Sequence, residues 1–153
     1  MEQSWNTAST LAAQARGLLS VDTDVIANAA NLAALLYMEL EQVNWVGFYF
    51  LKGNELVLGP FQGKPACVRI AMGKGVCGTA AASRQTQRVA DVEQFSGHIA
   101  CDAASRSELV VPLMHQGELL GVLDIDSPVV DRFSVSDQAI LEEVVRVYQE
   151  SIA

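Results

Sequence analysis

Three cysteines, Cys67, Cys77 and Cys101, hold all the thiol chemistry of this chain, and carboxylates follow at Glu108, Asp124 and Asp126. Cys101 stands in Gly97-His98-Ile99-Ala100-Cys101-Asp102, a polar stretch without apolar periodicity. That setting favours a reactive thiol there. Cys77, within Val76-Cys77-Gly78-Thr79-Ala80, reads as a small buried hydrophobe. Cys67 opens an apolar run and fits either role. A thiol, two possible resolving thiols and an acidic cluster point to a redox reaction on a small cationic or zwitterionic molecule. The odd cysteine count excludes a fully paired secreted framework. There is no Cys-x-x-Cys pair, and His98 and His115 complete no zinc pattern, so no metal site is expected.

The acids carry their own geometry. On a strand, residues two apart share a face, so Asp124 and Asp126 point the same way and Leu123 and Ile125 the other. Paired carboxylates beside an apolar strand repel each other and resist desolvation, which favours a bound cation or partial protonation. The plainer alternative is a turn at Asp126-Ser127-Pro128 with Asp124 in solvent. A hairpin turning at Gln116-Gly117 sets Glu108 near Ile125, diagonal to both aspartates. Trp45 and Tyr49, four apart on a predicted strand, share a face and either wall a pocket or pack in the core.

Several elements must position these groups. A helix is expected from about Gln3 to Leu19, and a second begins at a cap of Asp22 or Thr23. In the second, Val25, Ile26, Ala29, Ala33, Leu36 and Leu40 repeat at helical spacing. Trp45 to Leu51 is strand-like, Lys52-Gly53-Asn54 a turn, and Glu55 to Gly59 the return strand. Cys67 to Ala71 reads as a third strand and Val76 to about Ser83 as a short helix. Arg88 to Ala90 is extended, and 91–107 is a long polar connection. Long connections in compact domains are often functional. Glu108–Met114 and Glu118–Asp126 form a second hairpin. Ser134 with Asp137 opens the last helix in a capping-box pattern, running to about Ser151. This order does not alternate as parallel βαβ units would. It predicts an α+β fold, an antiparallel sheet with the N- and C-terminal helices packed on one face.

The 153 residues are expected to form one domain, 1–153. The net charge of −8 argues against nucleic acid and against an anionic membrane surface. No apolar run approaches the roughly 20 residues that span a bilayer, and the first residues lack a secretion pattern. A cytoplasmic protein is the expectation.

Four segments carry a family resemblance. They are Gly73-Lys74-Gly75-Val76-Cys77-Gly78, the Gly97–Asp102 stretch, Ser107-Glu108-Leu109-Val110-Val111-Pro112-Leu113, and Gly121-Val122-Leu123-Asp124-Ile125-Asp126-Ser127-Pro128. Together they resemble the free methionine-(R)-sulfoxide reductases, which are single GAF-domain enzymes. The cysteines fall at that family's spacing of ten and twenty-four. The resemblance implies that Cys101 attacks the sulfoxide sulfur and becomes a sulfenic acid as methionine leaves. It implies that Cys67 resolves that acid to a disulfide, that Cys77 is a supporting or alternative resolver, and that thioredoxin reduces the disulfide with electrons from NADPH and thioredoxin reductase. No bound cofactor is implied. Glu108, Asp124 and Asp126 would hold the substrate, Trp45 and Tyr49 would line its methyl end, and the amides around Ile99 and Ala100 would bind its carboxylate.

The residues add a mechanism. A sulfoxide is a poor electrophile until its oxygen is protonated, and three crowded carboxylates do not all ionise. One acid, expected to be Asp126, would act as proton donor. The remaining negative charge would pair with the substrate ammonium, which a peptide-bound residue lacks. The same acids would raise the Cys101 pKa. A GAF binding module that senses a small molecule is the alternative, since fold alone does not choose. A homodimer through the first and last helices is a further expectation.

Overall fold

The computed structural model describes residues 2–97 and 104–153. The chain runs α1 (Glu2–Leu19), α2 (Val25–Glu39), β1 (Trp45–Lys52), β2 (Glu55–Gly63), β3 (Arg69–Ala71), α3 (Gly75–Ser83), β4 (Gln87–Val89), a 3₁₀ turn (Val92–Gln94), β5 (Ser107–His115), β6 (Glu118–Ser127) and α4 (Val135–Ser151). The six strands form one sheet in the order β3-β2-β1-β6-β5-β4, and each neighbouring pair is antiparallel. The expected α+β class holds.

Strand alternation divides the sheet between two cores. From β1, Val46, Phe48 and Phe50 enter a core with α1, α2 and α4. Leu109, Val111 and Leu113 of β5 and Leu123 and Ile125 of β6 join them there. Trp45 and Tyr49 of β1, with Val110 and Val122, enter a second core under α3, alongside Val76, Cys77, Ala80 and Ala81. The period of two along each strand produces this split. The terminal helices cover one face, as expected, and α3 lies on the other.

Local chemistry sets the ends of the elements. Ser134 accepts from the Asp137 amide at 3.0 Å, and Asp137 returns the bond to the Ser134 amide at 2.9 Å. That is the capping box read from the sequence, with Asp in the usual Glu position. The cap of α2 is Asp24, one or two residues later than expected. Asp22 instead turns back on the amides of Thr23 and Asp24, at 2.7 and 2.9 Å, which holds the chain extended until Asp24.

Two irregularities shape the sheet. The β1–β2 register shifts between Gly47 and Tyr49, so Gly59 and Pro60 face Phe48 together. Pro60 has no N–H to give a ladder, and a bulge tolerates it. β2 therefore continues to Gly63, past the expected end at Gly59. The second shift lies in the β5–β6 hairpin. Gln116 and Gly117 have φ of 54° and 81°, the two positive values of a type I′ turn, and His115 faces Glu118. A bulge between Leu113 and Met114 then adds one residue, so that Glu108 faces Asp126, where a regular ladder would give Ile125.

Candidate active site

That one-residue shift assembles the acids. Cross-strand partners share a sheet face, so Glu108 and Asp126 stand side by side, with Asp124 two residues along β6. Glu108 and Asp124 are buried, at 8% and 5% exposure. Asp126 is half-buried. β1 lies on the other side of β6, and its Trp45 faces Asp126. The same concavity is lined by Trp45, Tyr49, Cys77, Glu108, Asp124 and Asp126. The two aspartates are therefore not a solvated turn. The aromatic pair is both core and pocket wall.

The wall is stiff. The Trp45 ring stacks on Phe61 at 5.3 Å and on Tyr49 at 5.9 Å between centroids. Gly47 lies between Trp45 and Tyr49 on the same face. A Cβ there would sit 2.5 Å from the Trp45 ring and collide with Phe61. Only glycine leaves room for the stack. The polar tips of both aromatics reach one segment. Trp45 Nε1 donates to the Lys64 carbonyl at 3.0 Å, and the Tyr49 hydroxyl donates to the Cys67 carbonyl at 2.9 Å. The sheet thus holds the stretch that carries Cys67 by two side-chain hydrogen bonds. Cys67 itself is disulfide-bonded.

α3 closes the pocket from the opposite side. Its first turn brings Cys77 to the acids, where the thiol donates to Glu108 Oε2 over 3.9 Å. Gly78 allows the close approach of α3 to β3, because a Cβ would meet the Ala71 carbonyl at 2.5 Å. Cys77 is a free, buried cysteine.

Burial and like charge act together here. Burial pushes the Asp124 carboxyl well above the ordinary carboxylate range, and the neighbouring Asp126 and Glu108 push it further. Burial likewise raises the Cys77 thiol, with Asp124 and Glu108 adding to it. Cys77 is thus held as a thiol, which disfavours it as a nucleophile at neutral pH. The Tyr49 hydroxyl is raised by burial first and then by Asp124, so it remains a donor to Cys67.

The structure brings together Trp45, Tyr49, Cys77, Glu108, Asp124 and Asp126, six of the residues picked from the sequence. Cys67 lies on the neighbouring segment that Tyr49 holds. Cys101, Ile99 and Ala100 lie outside the described residues. Sequence reasoning missed Lys74, which is exposed at the rim, and Ser105, which is buried and lines the same pocket. Lys74 sits in the glycine-flanked approach to α3, a position that foretold a helix start and nothing of its neighbours. Ser105 receives a 3.5 Å contact from the Asn44 amide, a pairing no local pattern encodes.

Comparison with known proteins matches residues 7–148 to the GAF domain. The chain is 53% identical to the free methionine-R-sulfoxide reductase of Escherichia coli, over 89% of this chain and 82% of that one. It is 41% identical to the enzyme of that name from Saccharomyces cerevisiae, over 88% and 79%. The chain is a GAF domain of the free methionine-R-sulfoxide reductase family. A solved structure of the Staphylococcus aureus family member in complex with its substrate superposes with a TM-score of 0.91 at 53% identity, covering 95% of both chains. In this family member, the acids, the aromatic wall and the first turn of α3 all meet on the sheet face away from the terminal helices.

Proposed function

We propose that the chain reduces free methionine-(R)-sulfoxide to methionine. The observation that carries this reading is the buried acid cluster. Asp124, held protonated by burial and by Asp126 and Glu108, faces a pocket walled by Trp45 and Tyr49. The protonated acid hydrogen-bonds the sulfoxide oxygen and transfers its proton as the S–O bond breaks. The sequence favoured Asp126 for this role. The greater burial of Asp124 and its two acidic neighbours move the proposal to Asp124, with Asp126 as the charged partner. Glu108 and Asp126 then pair with the substrate ammonium, so a methionine sulfoxide within a peptide is refused. Trp45 and Tyr49 line the methyl end, and the amides at Ile99 and Ala100 take the carboxylate.

The electrons come from cysteine. The Cys101 sulfur attacks the sulfoxide sulfur, oxygen passes to Cys101, and methionine leaves with two electrons gained. Cys101 is then a sulfenic acid. The Cys67 thiol condenses with it, releasing water and forming a disulfide, which stops further oxidation. The bonded state of Cys67 and the free state of Cys77 support Cys67 as the resolver and Cys77 as a supporting residue. Thioredoxin, fed by NADPH and thioredoxin reductase, returns the dithiol. No bound cofactor takes part. The cytoplasm is the compartment that keeps such a donor reduced. No described helix is long and apolar enough to cross a membrane.

A homodimer is part of the same proposal. Between Asp24 and Glu39, α2 bears no charge, and its outer face exposes Ile26, Ala30, Ala34, Tyr37 and Met38. This favours α2 over the first and last helices as the contact.

The test is incubation of the protein with racemic free methionine sulfoxide and dithiothreitol. Loss of the R epimer alone is the expected result. Loss of neither epimer, or equal loss of a peptide-bound sulfoxide, would overturn the reading. Replacing Cys67 with Ser should preserve one equivalent of methionine release and slow thioredoxin-supported turnover at least tenfold, about the effect of a 1.4 kcal/mol barrier change. Full turnover in that variant would reject Cys67 as the resolver.

A further inference from the structure

We propose that the acid pocket also binds a thiophilic divalent cation of the zinc class, held by Cys77, Glu108 and Asp124, and that this cation excludes the substrate. Cys77 Sγ and one carboxylate oxygen from each acid all lie within 4.8 Å of one another. All three residues are buried, at 4%, 8% and 5% exposure. A second observation points to a ligand. Asp124 Oδ1 is shut away from solvent and accepts no hydrogen bond, although its carboxylate lines the pocket. A buried acceptor left unsatisfied is costly, and a cation would relieve it.

The donor set selects the ion. One sulfur and two oxygens, with the pocket side open, make a three-ligand site with a fourth position for water, the make-up of open zinc sites. Zinc bonds of about 2.3 Å to sulfur and about 2.0–2.2 Å to oxygen put tetrahedral ligands roughly 3.3–3.8 Å apart. Closing from the observed spread asks for shifts of about 1 Å, within reach of side-chain adjustment. Calcium and magnesium want six or more oxygens or a hydrated shell, and a thiol donor disfavours both. The three ligands come from α3, β5 and β6. Linear spacing could not reveal them, which is why the sequence predicted no metal. Coordination expels two protons to solvent, one from the Cys77 thiol and one from the Asp124 carboxyl. Exclusion of the substrate rests on the functional reading above, because the same carboxylates would hold its ammonium and sulfoxide groups.

The test uses the full chain in its disulfide form. Thiol titration should count one reactive sulfur after denaturation, which checks the Cys67 pairing separately. Cobalt(II) is then added as a spectroscopic stand-in for zinc. The expected result is a thiolate-to-cobalt charge-transfer band in the near ultraviolet, saturating at one equivalent and removed by zinc(II). Cys77→Ser should abolish the band. Asp124→Asn should keep it but weaken cobalt binding at least tenfold, and circular dichroism confirms that each variant folds. Absence of a band, or one that survives Cys77→Ser, would overturn the site. Free methionine should displace the cobalt. If methionine binds by calorimetry and leaves the band unchanged, exclusion is wrong. If methionine does not bind the metal-free protein while the Cys77-dependent band forms on adding cobalt, the metal site stands and the reductase reading fails.

Discussion

Replacing Tyr49 by Phe removes one hydroxyl, the group that donates to the Cys67 carbonyl at 2.9 Å. The ring stays, and with it the stack on Trp45. A neutral hydrogen bond of this kind contributes about 0.5–1.5 kcal/mol net. Cys67 is half-buried, so water can reach the abandoned carbonyl and the loss should fall near about 1 kcal/mol. For a chain of this length that lowers Tm by roughly 2–4 °C. The kinetic consequence is more specific. Among the described residues, the Trp45 bond to Lys64 then still ties β1 to the segment carrying Cys67. A looser segment presents its thiol less often, and about 1 kcal/mol corresponds to roughly fivefold slower disulfide closure. The assay separates two steps in one sample. Methionine release without reductant reports the attack on the sulfoxide, which consumes one thiol, and the loss of a second thiol reports closure. We expect release within twofold of the parent and closure slowed about fivefold, by the same arithmetic. A tenfold loss of release with normal closure would refute this reasoning, because Tyr49 would then act on the sulfoxide chemistry. An unchanged Tm together with unchanged closure would refute it as well.

Other variants probe the acids and the wall. Asp124→Asn should abolish turnover yet stabilise the protein. The folded state raises the Asp124 pKa above its unfolded value, so the folded form binds more protons and loses stability as pH climbs from the ordinary carboxylate range through the folded pKa. Asparagine cannot ionise, so the variant's advantage should grow with pH and reach at least about 1 kcal/mol at neutrality, the scale of one buried group left unsatisfied. Denaturant titrations at several pH values measure it, and a variant less stable at pH 8 than its parent would contradict the assignment. Gly47→Ala should cost about 1–3 kcal/mol by overpacking and raise KM for the sulfoxide, since the new methyl displaces the Trp45 ring. Unfolding midpoints and steady-state kinetics check both effects.

Much of this site was legible from the chain because strand periodicity is a local signal. Asp124 and Asp126 share a face for the same reason that Leu123 and Ile125 occupy the opposite core. The Ser134 cap and the Gln116-Gly117 turn also depend on near neighbours, and both stand where they were expected. The bulge at Leu113 and Met114 was not legible, for it depends on how two strands coil together, and it decides whether Glu108 meets Asp126. The cap at Asp24 was misplaced because three polar residues competed and Asp22 found other amides. The contact of Cys77 with Glu108 joins elements about thirty residues apart in sequence. The burial of Cys77 was legible from its apolar neighbours, whereas its meeting with buried Glu108 and Asp124 follows from the packing of α3 on the sheet. The identity of the proton carrier depends on that burial, which is why attention moves from Asp126 to Asp124.

The sheet keeps two packing regions back to back, with the terminal helices behind it and the reactive pocket in front. Residues behind can be exchanged for others of similar volume without touching an atom that meets a ligand. Selection can therefore tune heat tolerance on one side and ligand choice on the other, almost as separate traits. The strand positions that separate the two regions, above all the glycine that admits the indole, are where such independence ends.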